Sequence, residues 1–441
     1  MKVQVESQDV SQVKKKLTVE IPSQEAQKEY NRIVGQFRGM AALPGFRRGR
    51  APSGLIKRRF KEDIEGELYQ KLVPQAYDEA VKEQDLHPIS EPQIADVEYE
   101  EGGPLKFTAS LEVLPQFKTP EHSGLKVAAP PVEVSEGDID EEVQRIREQM
   151  ASLVAVEERG VEQDDYATIV LKGWYLEEGQ DQPEDEAEPD IHDESVVVQV
   201  GDDRTHPAFT RALVGLKEGD EEAFQVEYEA DYADQNLAGR KLAYEILVTE
   251  IKEKQLPEVD DDFVKDLDVE GVENLEQLRE TIRERLAERK EQEREESIHS
   301  SLAQHLIDGT SFEVPDSLVE ERIDQRIQQV AYNIQRQGMD PRTAQIDWRA
   351  VRRDLQPESE KDVRLALILN QIAEDEGIEI SQEDLEEEIA KMAEASQQPV
   401  EKVRQNLRGS DGSFEGFKER LLRRRAMKQV YESAEISEEK E

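Results

Sequence analysis

The sequence predicts a multidomain α+β protein: an N-terminal α+β domain, an antiparallel β-sheet domain with one short helix, and an all-α C-terminal domain. Hydrophobic residues repeat with a period of two near the N-terminus and again between residues 161 and 251, which is typical of half-buried strands. From residue 252 onward they repeat at helical spacing. The length of 441 residues also suits a chain of about two to four domains.

The N-terminal domain is predicted over residues 1–132. Its first residues read as strands, because apolar side chains fall on one face and polar side chains on the other. The apolar face holds Val13, Leu17, Val19 and Ile21. Residues 94–100 and 105–114 predict two further strands, paired around a Gly-Gly-Pro turn.

Two helices of this domain flank a basic loop. The first is expected to begin with Ser23 as its N-cap, the second begins near Pro52, and a third contains Pro74, where we expect a kink. Residues 31–61 hold nine Lys or Arg and no Asp or Glu, in a chain of formal net charge −45. Such a local reversal of sign indicates a docking site for an anionic partner.

A connecting segment, residues 133–160, is predicted to contain one helix, from the spacing of its apolar residues through Met150 and Leu153. A β-rich domain follows over residues 161–251. Its predicted strands cover residues 166–171, 195–200, 222–228 and 242–251, and a short helix covers residues 207–213.

An acidic run interrupts this domain at residues 177–194, with ten carboxylates and no Lys or Arg. Such a run cannot bury a core, so we expect a solvated, mobile loop. It lacks the fixed ligand register of a calcium-binding loop.

The C-terminal domain, residues 252–441, is predicted to be helical throughout. The most buried helix carries the apolar run that begins at Val363, and Ser381 with Asp384 indicates a capping box for the next helix. We expect the tail from Glu432 onward to be disordered.

Composition excludes several classes of function. The chain has no cysteine, which rules out disulfides, thiol catalysis and thiolate metal sites. His299 and His305 do not share a helix face, so we expect no metal and no other cofactor. The first residues lack an apolar stretch and no apolar run reaches membrane-spanning length, so we expect a cytoplasmic protein without a membrane partner.

The basic loop carries a recognisable motif, Gly-Phe-Arg-Arg-Gly-Arg-Ala-Pro, at residues 45–52. Placed between two N-terminal helices, it resembles the ribosome-binding signature of the bacterial trigger factor family. That family consists of chaperones that wait where nascent chains leave the large ribosomal subunit. The resemblance implies docking through Gly45, Phe46, Arg47, Arg48 and Arg50. Arg50 stands where the family usually has lysine, which keeps the charge but changes the hydrogen-bonding geometry.

The β-rich domain resembles the FKBP-type peptidyl-prolyl isomerase fold. The resemblance rests on the strand and short-helix order and on Val200-Gly201, Phe209 and the Gly215-Leu216-Lys217-Glu218-Gly219-Asp220 stretch. Residue by residue, it implies an isomerase pocket with Phe209 as the floor, Tyr232 in the loop before the last strand, and Tyr244 on that strand.

Two pocket positions depart from the FKBP pattern. Leu171 stands where an aromatic residue is usual, and His206 stands where an aliphatic residue precedes the short helix. The aromatic and acidic pair of the pocket wall has no clear match. The resemblance therefore implies an isomerase, and the departures favour a weak one. Alternatively, Phe209 and Tyr244 are ordinary core aromatics.

Two functions are consistent with these patterns. The first is a ribosome-associated chaperone that binds unfolded nascent polypeptides and isomerises prolyl bonds, and that forms a weak homodimer off the ribosome. The second is a non-enzymatic holdase whose FKBP-like domain only adds binding surface. A purely structural helical adaptor is disfavoured by the basic motif. High negative charge would keep either chaperone soluble despite exposed apolar patches.

Overall fold

The computed structural model describes residues 2–438, except residues 42, 45, 47, 48, 177–179, 181–187, 203, 231, 233, 345, 410 and 411. The chain forms two compact units. One consists of Met1–Pro130 together with Arg294–Glu441, and the other of Pro131–Glu293. Among the described residues, no helix combines the length and the apolar character that crossing a membrane requires.

The N-terminal part of the first unit packs helices on a four-stranded antiparallel sheet. Its strands are β1 Gln4–Asp9, β2 Lys14–Ile21, β3 Gln93–Tyr99 and β4 Leu105–Glu112, in the order β1-β2-β4-β3. Its helices are α1 Ser23–Met40, α2 Ser53–Arg59 and α3 Lys61–Glu83, and a separate strand, β5, covers Lys126–Ala129. Alternate residues of β2 and β4 are buried against α1 and α3, which confirms the predicted apolar face.

Two helix starts differ from the predictions by one residue. Pro22, not Ser23, is the N-cap of α1, and its carbonyl accepts from the backbone N–H of Glu25 at 3.0 Å. Pro52 likewise precedes α2 rather than opening it. In both places proline fixes the backbone φ angle where the chain enters the helix. Proline has no backbone N–H, and an N–H at a helix start would have no partner within the helix. Helix α3 runs through Pro74 as a single helix.

The second unit is built on a five-stranded sheet. In chain order its elements are α4 Glu136–Gln149, β6 Ser152–Ala155, β7 Tyr166–Leu176, β8 Ile191–Gln199, α5 Pro207–Leu213, β9 Glu221–Glu227, β10 Lys241–Gln255, α6 Asp261–Asp266 and α7 Leu275–Asp308, which continues into the first unit. The long strand β10 is central. It pairs with β7 on one edge, and with β9 and then β6 along the other.

The sheet corrects two predictions. Met150 and Leu153 do not extend the connecting helix, because α4 ends at Gln149 and Leu153 lies in β6, paired with Lys254 of β10. Residues 191–194 are not part of a loop, because β8 begins at Ile191 and pairs with β7. Most of the remaining acidic run lies outside the described residues.

The C-terminal part of the first unit is helical, as predicted. It consists of α8 Asp316–Arg336, α9 Trp348–Asp375, α10 Gln382–Ala395, α11 Val400–Leu407, α12 Glu415–Ser433 and a last strand, β11 Glu435–Glu438. The predicted capping box of α10 is confirmed, since the Asp384 backbone N–H donates to Ser381 Oγ at 3.1 Å and the Asp384 carboxylate accepts from the Ser381 N–H. Helix α11 was missed.

The prediction of a disordered tail is wrong for the described residues. Helix α12 extends to Ser433, and β11 then pairs in parallel with β5, from Glu435 opposite Lys126 to Glu438 opposite Ala129. The partner strand is more than three hundred residues away in the sequence. A short polar segment gives no local sign that such a distant strand will order it.

The segment before β5 is held on the C-terminal helices by aromatic and polar contacts. Phe117 stacks on Phe312 with ring centroids 4.1 Å apart. His122 Nε2 contacts a Glu376 carboxylate oxygen at 3.0 Å, and its Nδ1 contacts the Pro120 carbonyl at 3.1 Å. Burial lowers the pKa of His122, but the hydrogen bonds to Glu376 and Pro120 outweigh it, and the net shift is upward. The His122 bond in turn lowers the pKa of Glu376.

These shifts predict a pH-dependent contribution of His122 to stability. Because the pKa of His122 is raised in the folded state, protonation of His122 stabilises the fold at pH values below its ordinary pKa of about 6.5. This stabilisation is lost as the pH rises through the raised, folded-state pKa. Replacing His122 with Gln should therefore lower the thermal unfolding midpoint more near pH 5.5 than near pH 8.5. The effect is small, because the pair is partly exposed. An equal loss at both pH values would contradict this role, and Glu376→Gln should remove the pH dependence.

Candidate functional sites

An aromatic cluster lies where α5 crosses β9 and β10 in the second unit. The Phe209 ring centroid is 4.8 Å from that of Phe224 and 5.0 Å from that of Tyr244. Phe224 and Tyr244 are register partners on neighbouring strands, which places both rings on one face of the sheet. The structure thus brings Phe209 and Tyr244 together, as either a pocket or an ordinary aromatic core would.

A glycine makes room for the central tyrosine. Gly173 of β7 stands opposite Tyr244 of β10. A Cβ atom at Gly173 would lie 2.9 Å from the Tyr244 ring, closer than a Cβ atom approaches a neighbouring atom in folded proteins. Only a residue without a side chain fits at this point of β7. The buried position of the Tyr244 ring therefore depends on both β7 and β10.

The tyrosine hydroxyls of the cluster are paired. The hydroxyls of Tyr228 and Tyr244 lie 2.9 Å apart, and both rings are buried. Burial raises the pKa of Tyr244, and the hydrogen bond with Tyr228 raises it further. Burial also raises the pKa of Tyr228. Both hydroxyls therefore stay protonated at physiological pH, and this side of the aromatic cluster carries no charge.

The remaining predicted residues border the same cluster. The half-buried Tyr232 ring lies 4.7 Å from Tyr228, and the His206 ring lies 5.3 Å from Tyr228. His206 is also the N-cap of α5, where its Nδ1 accepts from the Ala208 backbone N–H at 3.2 Å. Acceptance at Nδ1 assigns the ring proton to Nε2. Leu171 packs against this cluster and against the main core of the sheet.

Sequence reasoning missed Phe224 and Tyr228. Both lie on or just after β9 and join the cluster because β9 pairs with β10 in the observed register. Their aromatic character and even-numbered spacing were the available signal. Within the described residues, no group of three or more His, Asp or Glu could hold a metal ion. The cluster itself consists of packed aromatic and aliphatic side chains and of tyrosine hydroxyls, two of which bond to each other.

The basic loop joins α1 to α2 and projects apolar and cationic side chains. Phe46 is 43% exposed, and Arg50 is exposed. Arg38 Nε donates to the Gly49 carbonyl at 3.1 Å, which ties the end of α1 to the far side of the loop. Gly49 has φ of +77°, a backbone conformation that favours glycine. The predicted docking residues Gly45, Arg47 and Arg48 lie outside the described residues.

Carboxylates elsewhere in the fold neutralise part of the basic window. Arg32 pairs with Glu29, Lys57 with Glu101, and Lys61 with Glu65. In the described part of the chain, a second group of its cations has no carboxylate partner. This group comprises Arg38, Arg50, Arg58 and Arg59, all exposed. The positive surface is therefore concentrated around the loop and along α2.

The first unit also contains a large open cavity of about 1530 Å³. Its walls come mainly from α8, α9 and α12, with further residues from α7, from the end of α11 and from the N-terminal part. Apolar side chains such as Leu318, Val363 and Met427 alternate with charged side chains such as Arg322 and Arg420. A surface of this kind offers many weak contacts and no single enclosed pocket.

Family models match almost the whole chain in three parts. One described as bacterial trigger factor protein matches residues 1–146, and one described as the trigger factor C-terminus matches residues 274–432. Between them, a model described as FKBP-type peptidyl-prolyl cis-trans isomerase matches residues 157–250. That last range contains the aromatic cluster.

Comparison with individual proteins agrees with these family matches. The chain is 34% identical to the trigger factor of Koribacter versatilis over 96% of this chain and 95% of that protein. It is also 34% identical to the trigger factor of Anaeromyxobacter dehalogenans, over 99% of this chain and 100% of that protein. Identity to the trigger factor of a Geobacillus strain is 31%, over 96% of each. With full-length relatives at this identity, the chain belongs to the bacterial trigger factor family, chaperones that carry an FKBP-type isomerase domain.

Proposed function

We propose that this chain docks on the large ribosomal subunit in the cytoplasm, binds unfolded nascent polypeptides at the exit and isomerises their prolyl bonds. In this proposal residues 1–132 dock, residues 133–160 connect, residues 161–251 isomerise, and residues 252–441 bind the client. Family membership and three separate features support this division: a basic loop, an aromatic cluster and a large open cavity.

Docking is assigned to the loop between α1 and α2. The residues concerned are Gly45, Phe46, Arg47, Arg48 and Arg50. An exposed aromatic ring among cations suits a partner made of both RNA and protein, because phosphates attract the arginines while the ring packs on an apolar surface. The unpaired cations of α2 extend the same surface.

Client binding is assigned to the cavity of the first unit, and this cavity is the observation that carries the proposal. Its volume of about 1530 Å³ is above the range of about 300–1,000 Å³ typical of small-molecule pockets. Mixed apolar and charged walls give many weak contacts, which hold an unfolded segment and release it again.

Isomerisation is assigned to the aromatic cluster, which we propose lines a cleft. Rotation about a prolyl bond must overcome a barrier that arises from loss of amide resonance, about 18–20 kcal/mol for an ordinary peptide bond. The twisted amide is less polar than the planar one, so a cleft that excludes water favours it. We assign the floor to Phe209, the walls to Tyr244 and Leu171, and the rim to Tyr232 and His206. The Tyr232 hydroxyl, which no described residue engages, can donate to a substrate carbonyl.

One observation favours the alternative, a holdase without isomerase activity. Leu171 fills the wall position with a side chain that also packs into the main core, and it offers no ring to the cleft. A less enclosed cleft would bind proline segments without stabilising the twisted amide. Isomerase activity distinguishes the two functions directly.

Removal of the β-rich domain, here called the sheet domain, tests the assignment of client binding. Ser152 and Gln255 are register partners, so residues 153–254 can be replaced by a two-glycine turn that joins them. The packing of α4 on α6 and α7 stays, since it depends on residues such as Ile139, Phe263 and Leu278. We expect the excised chain to suppress aggregation of an unfolded client about as well as the full chain. Complete loss of suppression in a folded excised chain would assign client binding to the sheet domain instead.

A further inference from the structure

Strand β6 forms part of an outer edge of the sheet in the second unit. It pairs with the end of β10 on one side, and among the described residues no strand pairs with its other side. All four of its residues are exposed, with Leu153 at 47% and Val154 at 40%. This strand therefore presents both a backbone edge and apolar side chains to solvent.

The register of β6 on β10 decides which backbone groups face outward. The Val156 N–H donates to the Ile251 carbonyl at 2.8 Å, so these two residues form a hydrogen-bonded pair. In an antiparallel ladder, such pairs alternate with pairs whose N–H and C=O groups point away from the partner strand. Two positions earlier, Val154 therefore bonds to β10, whereas the backbone groups of Leu153 and Ala155 point outward. In the described part of the chain, no backbone group bonds to these outward groups.

Strand β6 also lacks the features that protect other edges of this fold. Among the described strands, it is the only one without a charged residue, in a chain in which 36% of the residues are charged. By contrast, the outer strand β3 carries Asp96, with φ of +51°, at a break in its register. The outer strand β8 carries Asp193 and Glu194. Charges and bulges of this kind prevent natural sheets from pairing with a further strand, and β6 has neither.

Charge favours an unfolded client over a second copy of this chain as the partner of β6. Pairing of two β6 strands would bring two copies of the second unit together, and this unit has 49 Asp or Glu against 17 Lys or Arg. Like charges at this density oppose such a dimer. A neutral, extended segment meets no such repulsion, and bonding through its main chain places little demand on its sequence.

We propose that β6 binds an extended segment of an unfolded client as an additional strand. The inference rests on the proposed client-binding function and adds a second contact surface to it. The favoured segment is uncharged and rich in β-branched residues, because its side chains pack beside Leu153 on one face of the sheet and beside Val154 on the other. Two outward-facing residues offer few hydrogen bonds, so this contact adds only weakly to those of the cavity.

The test uses the full chain and two labelled peptides of equal length in which Val and Thr alternate. The first has an unmodified backbone, and the second is methylated at its backbone nitrogens, which removes the N–H donors and keeps the side chains. Fluorescence anisotropy gives the dissociation constants. We expect the unmethylated peptide to bind about tenfold more tightly, the order expected for main-chain hydrogen bonds.

A proline variant and a matched control locate this preference. Leu153→Pro removes an outward N–H without breaking a bond to β10, because proline is tolerated where the N–H of an edge strand faces solvent. This variant should lose the preference for the unmethylated peptide and keep its aggregation suppression, since the cavity is unchanged. Leu153→Ala shortens the same side chain but keeps the N–H, so it should retain most of the preference. Thermal unfolding midpoints show whether both variants fold.

Hydrogen exchange identifies the bonded residues in the unmodified chain. The unmethylated peptide should slow exchange of the Leu153 and Ala155 amides, which point outward. The Val154 amide should be unaffected, because it already bonds to β10. Equal slowing at all three amides would contradict pairing in this register.

Several results would overturn the inference. They are equal binding of the two peptides by the unmodified chain, an unchanged preference in folded Leu153→Pro, or a dimer of the unmodified chain that Leu153→Pro abolishes. The last result would assign the edge to a second copy. If neither peptide binds and aggregation suppression is also absent, the proposed client-binding function itself fails. If suppression persists without a preference between the peptides, only the edge contact fails.

Discussion

Replacing Phe209 with alanine is expected to lower the rate of prolyl isomerisation by about ten- to a hundredfold, which corresponds to about 1.4–3 kcal/mol in the barrier. The ring is the centre of the cluster, in contact with both Phe224 and Tyr244. Without it, water enters the cleft and the twisted amide loses its desolvated site. The measurement is the isomerisation rate of a short proline-containing peptide, with and without catalyst.

Two controls separate loss of the site from loss of the fold. Phe209→Leu keeps an apolar side chain in the cleft and should retain more activity than Phe209→Ala. Aggregation suppression by Phe209→Ala should remain at the unmodified level, because the cavity lies in the other unit. An active Phe209→Ala variant would show that the cleft is placed wrongly.

Changing Phe46, Arg47 and Arg48 together to alanine is expected to abolish co-sedimentation with large ribosomal subunits while leaving the fold intact. The change removes an exposed ring and two cations from the basic loop. Binding of the unmodified chain should weaken steeply with salt, because each phosphate contact releases counterions. A partial variant such as Arg47→Ala should reduce the slope of log affinity against log salt by about one.

A matched control makes this result specific to the loop. Val10→Ala, Lys28→Ala and Lys82→Ala together remove one exposed apolar side chain and two exposed cations from the same part of the chain, away from the loop. The control should co-sediment as the unmodified chain does. Equal sedimentation of the loop variant and the control would remove the loop from the docking surface.

Local signals in the sequence predicted local structure well. The capping box of α10 needs only Ser381 and Asp384, three positions apart, so the sequence contains all the necessary information. The same holds for α5, which begins at Pro207 as predicted. By contrast, β6 and β11 form by pairing with distant strands. The partner of β6 is the end of β10 at Gln255, and the partner of β11 is β5, which begins at Lys126. No window of a few residues contains that information.

In the candidate sites, too, some features could be predicted from the sequence and others depend on the fold. Phe209 and Tyr244 were identified by resemblance to a known fold, whereas the bond between Tyr228 and Tyr244 depends on strand register. The basic window was visible in the sequence, but the neutralisation of Lys57 was not, since its partner Glu101 lies forty-four positions away. The large cavity needed the structure, because its lining residues, such as Arg322 and Arg420, come together only through helix packing.

We propose that the chain holds a client and rotates its prolyl bonds at two separate surfaces. The most direct measurement follows refolding of an aggregation-prone protein whose slow phase is proline-limited, with the full chain and with the chain lacking residues 153–254. We expect both chains to suppress aggregation and only the full chain to accelerate the slow phase. A slow phase unchanged by the full chain, even in excess over the refolding protein, would contradict the isomerase assignment and leave a holdase.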